Sequence, residues 1–164
     1  MENDNPSFHH LPAKEIIEWK EGKVSYRLIA GSAFDRNSSL ELWSDAFMVE
    51  INSTEDQEIN LSNKFKGELG ILVNKGTILA CSEAIEKGNL LVSKDADICK
   101  FTIKAHSKVF LIGGSVFPEK RYIDWNFVSS DLEKLEEAKR KWKAGEFPQV
   151  PNDSTYVNYP SKPV

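Results

Sequence analysis

At 164 residues the chain can bury one substantial core and is too short to hold two full β-barrels. Hydrophobic residues make up 40% and charged residues 28%, an ordinary globular balance, and a net charge of −4 leaves no overall attraction for nucleic acid or an anionic membrane. No apolar run reaches the roughly 18 residues that a membrane helix requires, and the polar start Met1-Glu2-Asn3-Asp4-Asn5 is unlike a secretory signal, so a cytoplasmic protein is expected.

The first dozen residues are polar and punctuated by proline, and 12–19 reads as a turn of helix or an extended arm. Beyond Gly22 the texture changes to short β-rich pieces. Segment 24–30 alternates imperfectly, 31–39 reads as loop, and 46–51 predicts a strand carrying Phe47, Val49 and Ile51 on one face. Further strands are predicted over 57–61, 68–73, 77–81, 90–93, 98–105, 108–112 and 121–128. Turn signals separate them at Asn74-Lys75-Gly76, Lys87-Gly88-Asn89 and Ala105-His106-Ser107. This spacing predicts an all-β sandwich or barrel of antiparallel strands. Cys81 and Cys99 fall in strand-like segments without metal-type or redox-type spacing, so each is expected to be a buried structural thiol.

One helix stands out, over 131–145. Ser130 followed by Glu133 has the spacing of a capping box, in which hydroxyl and carboxylate each satisfy an orphan backbone N–H. Leu132, Leu135, Ala138 and Trp142 share one side, Gly145 offers a left-handed stop, and Pro148 prevents resumption. Acidic residues Asp131, Glu133, Glu136 and Glu137 lead while Lys139, Arg140, Lys141 and Lys143 follow, an order that suits the helix dipole. The basic run therefore reads as a solvated helix end rather than a nucleic-acid patch.

The search for chemistry is mostly negative. Of the three histidines, His9 and His10 are adjacent and point to opposite faces of an extended arm, and His106 sits in a turn signal. A facial triad of two histidines and a carboxylate cannot be assembled from them. There is no GxSxG elbow, phosphate-binding glycine loop or HExxH helix, and Gly113-Gly114-Ser115 reads as a bend after a strand.

Two stretches resemble a known family. Pro6-Ser7-Phe8-His9-His10-Leu11-Pro12 with Val24-Ser25-Tyr26-Arg27-Leu28-Ile29-Ala30-Gly31 is similar to the start of the carboxy-terminal domain of pirins, which are bicupin proteins, and 113–147 is similar to its end. The most specific string is Tyr122-Ile123-Asp124-Trp125-Asn126-Phe127-Val128-Ser129-Ser130. The resemblance implies a cupin, a small jelly-roll β-barrel or sandwich, spanning 23–130, with an amino-terminal arm over 1–22, a helix over 131–145 packed on the barrel through Leu135 and Trp142, and an extended tail over 146–164.

In that family the amino-terminal cupin carries a His-x-His pair, a further His and a Glu that hold iron, and some members oxidise flavonols such as quercetin. If that motif is laid on this chain by Gly76, the His-x-His places fall on Ser62 and Lys64, and the remaining ligands would lie in 90–104, which contains no histidine. Glu68 alone resembles a ligand. The implied reading is a single cupin lacking the metal-binding half, with no catalytic residues, metal or cofactor, acting as a non-catalytic binding or interaction module. The alternative is a quercetin 2,3-dioxygenase-like enzyme or a metal-free small-molecule binder with Trp43, Phe47 and Phe101 lining a pocket. The expected partner is a second copy, as a homodimer, or another protein, and the opening Met1 favours a natural short protein over an excised domain.

Overall fold

The computed structural model describes residues 8–93 and 100–160. They divide after Val116 into two compact units. The first begins with a 3-10 turn, Ala13–Glu15, followed by β1 (Ile17–Glu21), β2 (Val24–Ala30) and a miniature hairpin of β3 (Ser32–Ala33) and β4 (Arg36–Asn37). Strands β5 (Ala46–Ser53), β6 (Gln57–Asn60), β7 (Glu68–Lys75), β8 (Thr77–Ala80), β9 (Glu83–Glu86), β10 (Leu90–Ser93), β11 (Lys100–Ile103) and β12 (Lys108–Gly114) complete it. They form a six-stranded sheet, in the order β1-β2-β5-β12-β7-β10, and a four-stranded sheet, β6-β11-β8-β9. All these pairings are antiparallel.

Alternation decides which side chains meet between the sheets. Val49 and Ile51 of β5, Ile71 and Val73 of β7, and Val109 and Leu111 of β12 are completely buried, as are Ile78 of β8 and Ile103 of β11. With Phe101, Ile59 and Leu28 they form one apolar cluster, so the architecture is a two-sheet sandwich rather than a closed barrel. Gly31 lets the chain turn from β2 into β3: its φ is +72° and a Cβ there would lie 1.8 Å from the Ala46 carbonyl oxygen.

Several local expectations change. Part of the stretch read as an arm, 17–21, is strand β1, hydrogen-bonded along β2 from Ile17–Leu28 to Glu21–Val24. Cys81 is exposed, not buried: β8 ends at Ala80, and Cys81 and Ser82, with φ of +50° and +65°, make the two-residue turn into β9. Cys99 lies outside the described residues, as does Ile98. Gly113 and Gly114 extend β12 against Phe47 and Ala46 instead of bending away from it.

The second unit, from Phe117 onward, contains β13 (Tyr122–Asp124), β14 (Phe127–Ser129) and helix α1 (Leu132–Ala144). The single strand predicted over 121–128 is a hairpin, because Trp125 adopts φ +51° and turns the chain between paired Asp124 and Phe127. The helix cap is one residue later than predicted. Asp131 is extended, and its carboxylate accepts a 2.8 Å hydrogen bond from the Glu133 N–H. Gly145, at φ +70°, ends the helix as expected, its N–H reaching the Trp142 carbonyl.

Aromatic rings hold this unit together. Trp142 stacks on Tyr156 at 5.4 Å, stands edge-on to Trp125 at 5.1 Å, and donates from Nε1 to the Val157 carbonyl at 2.8 Å. The Tyr156 hydroxyl donates in turn to the Trp142 carbonyl, which ties the tail to the last turn of the helix. Of the residues expected along the helix's apolar side, Leu135 is buried and Trp142 partly so, while Leu132 is exposed. No helix among the described residues is long and apolar enough to cross a membrane.

Candidate functional site

Among the described residues the sandwich interior holds no carboxylate, imidazole, thiol or amine. The buried polar residues of the first unit are Glu50, Ser53, Ser93 and Ser107, and Glu50 alternates with Val49 and Ile51 so that it faces away from the core. Tyr26 is buried, and burial followed by the Glu21 carboxylate pushes its hydroxyl up to about 12, so it stays protonated at neutral pH. Phe101, proposed above as a pocket residue, is 2% exposed and belongs to this packed core.

A surface cavity of about 680 Å³ lies beside the β3–β4 hairpin. Phe47 and Phe65, with ring centroids 5.2 Å apart, form part of its apolar wall. Four of its charged groups have partners: Lys64 lies 3.7 Å from Asp35, Arg36 donates to the Phe34 carbonyl while sitting over the Trp19 ring, and Asp45 accepts from Ser115; Lys66 also lines it. Trp43 is 57% exposed and is not part of the lining, although its neighbours Leu42 and Ser44 are. Of the three aromatic candidates, only Phe47 is brought to this cavity. Phe34 and Asp35 at the hairpin tip both have positive φ, a strained pair for which the sequence carries no glycine signal.

The outer face of the six-stranded sheet has two halves. Register places Leu90 beside Leu72, Leu72 beside Phe110, and Phe110 beside Glu50. One step along the strands, Val92, Gly70, Ile112 and Met48 form the next row. Leu90, Val92 and Ile112 are 56%, 58% and 41% exposed, so the β10 side is an uncovered apolar surface.

Toward β1 the same face becomes charged. Glu50 accepts from Asn52 Nδ2 at 2.9 Å and lies 3.3 Å from Lys108 Nζ and 3.9 Å from Arg27 Nη1. Burial by itself would raise the Glu50 pKa, but the Asn52 hydrogen bond and the two cations outweigh it and hold the carboxyl below its usual range. Arg27 Nε is also 2.9 Å from Glu18 Oε1, without the alignment of a hydrogen bond. Nothing in the sequence alone singled out Glu50; only strand pairing brings 18, 27, 50 and 108 side by side.

The metal-ligand positions implied by the resemblance do not fit iron. Ser62 is exposed, and Lys64 presents an ammonium paired with Asp35. Glu68 is exposed at the start of β7, His106 is exposed in a turn at φ +58°, His9 pairs loosely with Glu41 at 3.9 Å, and His10 is exposed. Among the described residues no three His, Cys, Asp or Glu side chains gather as an ion would require.

Comparison with known proteins matches this architecture. The family model for the pirin C-terminal cupin domain covers residues 48–148. A pirin-like protein of Caulobacter vibrioides is 32% identical over 147 residues, 88% of this chain and 50% of that protein. A Pseudomonas aeruginosa protein with a provisional quercetin 2,3-dioxygenase name is 24% identical over 86% of this chain and 44% of its own length. A crystal structure of quercetin 2,3-dioxygenase from Acinetobacter baumannii superposes with a TM-score of 0.85 at 21% identity, over 98% of this chain and 55% of that one, which speaks to fold alone. The chain spans about half the length of the curated relatives it matches. With the two-sheet sandwich and the match across most of its length, the chain belongs to the pirin family and corresponds to the C-terminal cupin.

Proposed function

We propose that this chain is a non-catalytic binding module of the pirin family, acting through its surface. The observation that carries the reading is the interior: the space between the two sheets is filled by Val49, Ile51, Ile71, Val109, Leu111, Ile78 and Ile103, and the buried carboxylate Glu50 points out of it. A dry apolar core supplies neither ligands for a metal nor a general base. Cytoplasmic residence, absence of a cofactor and association with a protein partner belong to the same proposal.

The test is elemental analysis of the purified chain followed by quercetin turnover with added ferrous iron. We expect no stoichiometric metal and no turnover above that of free iron. About one metal per chain, lost in Glu68→Ala or His106→Ala and accompanied by turnover, overturns the reading. The cavity beside Phe47 and Phe65 favours a second reading, a metal-free small-molecule binder. That reading predicts saturable quenching of tryptophan fluorescence by an aromatic ligand, weakened in Phe47→Ala.

A further inference from the structure

We propose that the outer face of the six-stranded sheet binds the same face of a second copy of this chain. The inference rests on the binding-module reading and names its partner. Strand β10 forms the edge of the sheet, and Leu90-Leu91-Val92-Ser93 contains none of the lysines or prolines with which proteins commonly protect an edge. Its outward residues Leu90 and Val92 continue into Leu72, Phe110 and Ile112, so edge and face make one apolar surface.

Charge selects the occupant. The face holds Glu18, Lys20, Arg27, Glu50 and Lys108 toward β1 and Glu68 at the start of β7, three acids and three bases, of which Glu18, Arg27, Glu50 and Lys108 are already paired with one another. A strongly acidic or strongly basic partner gains little from such a balanced set, whereas a second copy brings an equally balanced one. Orientation follows from symmetry. A two-fold axis lying in the interface and running across the strands keeps strand order, so apolar half meets apolar half and polar half meets polar half. An axis along the strands would instead set Leu90 and Val92 against the Glu18 side and bury those charges against hydrocarbon.

Area points the same way. Six strands about 4.8 Å apart and three residue rows about 7 Å apart give a footprint of roughly 600 Å², short of but comparable with the ~800 Å² that each partner contributes to a standard interface. The apolar half alone is under half of that. A stable pair must therefore cover Arg27, Glu50 and Lys108 as well, which makes the polar half part of the interface and not only its rim.

Sedimentation equilibrium of the full chain, from low micromolar to the highest attainable concentration, tests this. A dimer is expected. Val92→Lys and Ile112→Lys should each weaken association by roughly 30-fold or more, with far-UV circular dichroism retained, because both side chains are exposed in the single chain. Lys108→Glu should weaken it further at low salt than at high salt. Ile123→Lys, on the exposed side of the β13–β14 hairpin, is the control and should change nothing.

A single-chain mass at every concentration overturns the proposal. So does a dimer that Val92→Lys and Ile112→Lys leave intact, since association would then use another surface. The outcome is independent of the metal and turnover assays: a metal-free monomer sinks the second copy and leaves the binding module to a different polypeptide. A dimer that binds iron and turns over quercetin does the reverse.

Discussion

The two units are held together differently. Residues up to Val116 are stabilised by long-range strand pairing around a dry aliphatic core in which side chains such as Ile51, Ile71 and Leu111 lose all exposure. Among the described residues from Phe117 onward, Leu135 is the buried hydrophobic residue, and cohesion comes from partly exposed rings, several with polar handles: Trp125, Phe127, Trp142, Phe147, Tyr156 and Tyr159. Aliphatic burial is non-directional and needs many partners from distant strands. Aromatic contacts with N–H and O–H groups make a small unit specific from nearby sequence.

The largest expected effect tests the first half of that contrast. Phe101→Ala, at a fully buried position of β11, should cost about 3–5 kcal/mol and lower the urea midpoint of the sandwich. A loss well under 1 kcal/mol would mean that the core is loosely packed and that the distinction between the units is overstated.

Next is Trp142→Ala. The indole is partly exposed, so a loss of about 2–3 kcal/mol is expected, below the ~3–5 typical of a buried ring. Hydrogen exchange should accelerate in 117–160 while β5, β7 and β12 keep their protection. Equal acceleration in both units would show them to be one cooperative block.

Electrostatics sharpen the contrast with a smaller effect. Glu50 has a lowered folded pKa, so its contribution is present above the unfolded value of about 4.3 and is lost as pH falls through the lower folded value. Glu50→Gln should cost about 1–2 kcal/mol at pH 7 through its weakened bonds to Asn52 and Lys108, and the gap from wild type should close as pH drops toward 3. In the other unit, Asp124 is lowered by the Lys139 hydrogen bond and then by that of Tyr159, so its contribution also fades in acid. A gap that stays constant from pH 7 to 3 contradicts the Glu50 assignment.

The smallest expected change is a gain. Ser82→Gly, at φ +65° in the turn from β8 to β9, should stabilise the sandwich by about 0.5–1 kcal/mol because glycine accepts that backbone without strain. An unchanged or lowered thermal midpoint would place the strain elsewhere. Native-state labelling of the exposed Cys81 thiol should be rapid in both proteins.

The segments legible in the sequence were those with local signals. The strands at 24–30 and 90–93 have the predicted bounds, and Gly145 stops the helix where expected. Where a turn lacks glycine the local signal is absent: Cys81-Ser82 and Trp125 bend the chain with residues that normally avoid positive φ, so the sequence alone extends one strand and merges a hairpin into a single strand. Strand β9, Glu83-Ala84-Ile85-Glu86, has little β propensity and exists because β8 pairs with it. Of the aromatic pocket candidates, Phe47, Trp43 and Phe101 end up at the cavity, on the surface and in the core respectively, a distinction that alternation within one segment cannot make.

By itself the sequence determined composition class, the positions of the longer strands, the terminal helix and the family resemblance, because periodicity, turn residues and caps act over a few positions. Its inventory places the three histidines at His9, His10 and His106, none of them at Ser62, Lys64 or in 90–104, where the resemblance puts the iron ligands. The tertiary structure alone decided that Glu50 is a buried carboxylate between Lys108 and Arg27, and that Leu72, Leu90, Val92, Phe110 and Ile112 share one exposed face. Those residues come from different strands, and a one-residue change of register would send each to the opposite side of the sheet.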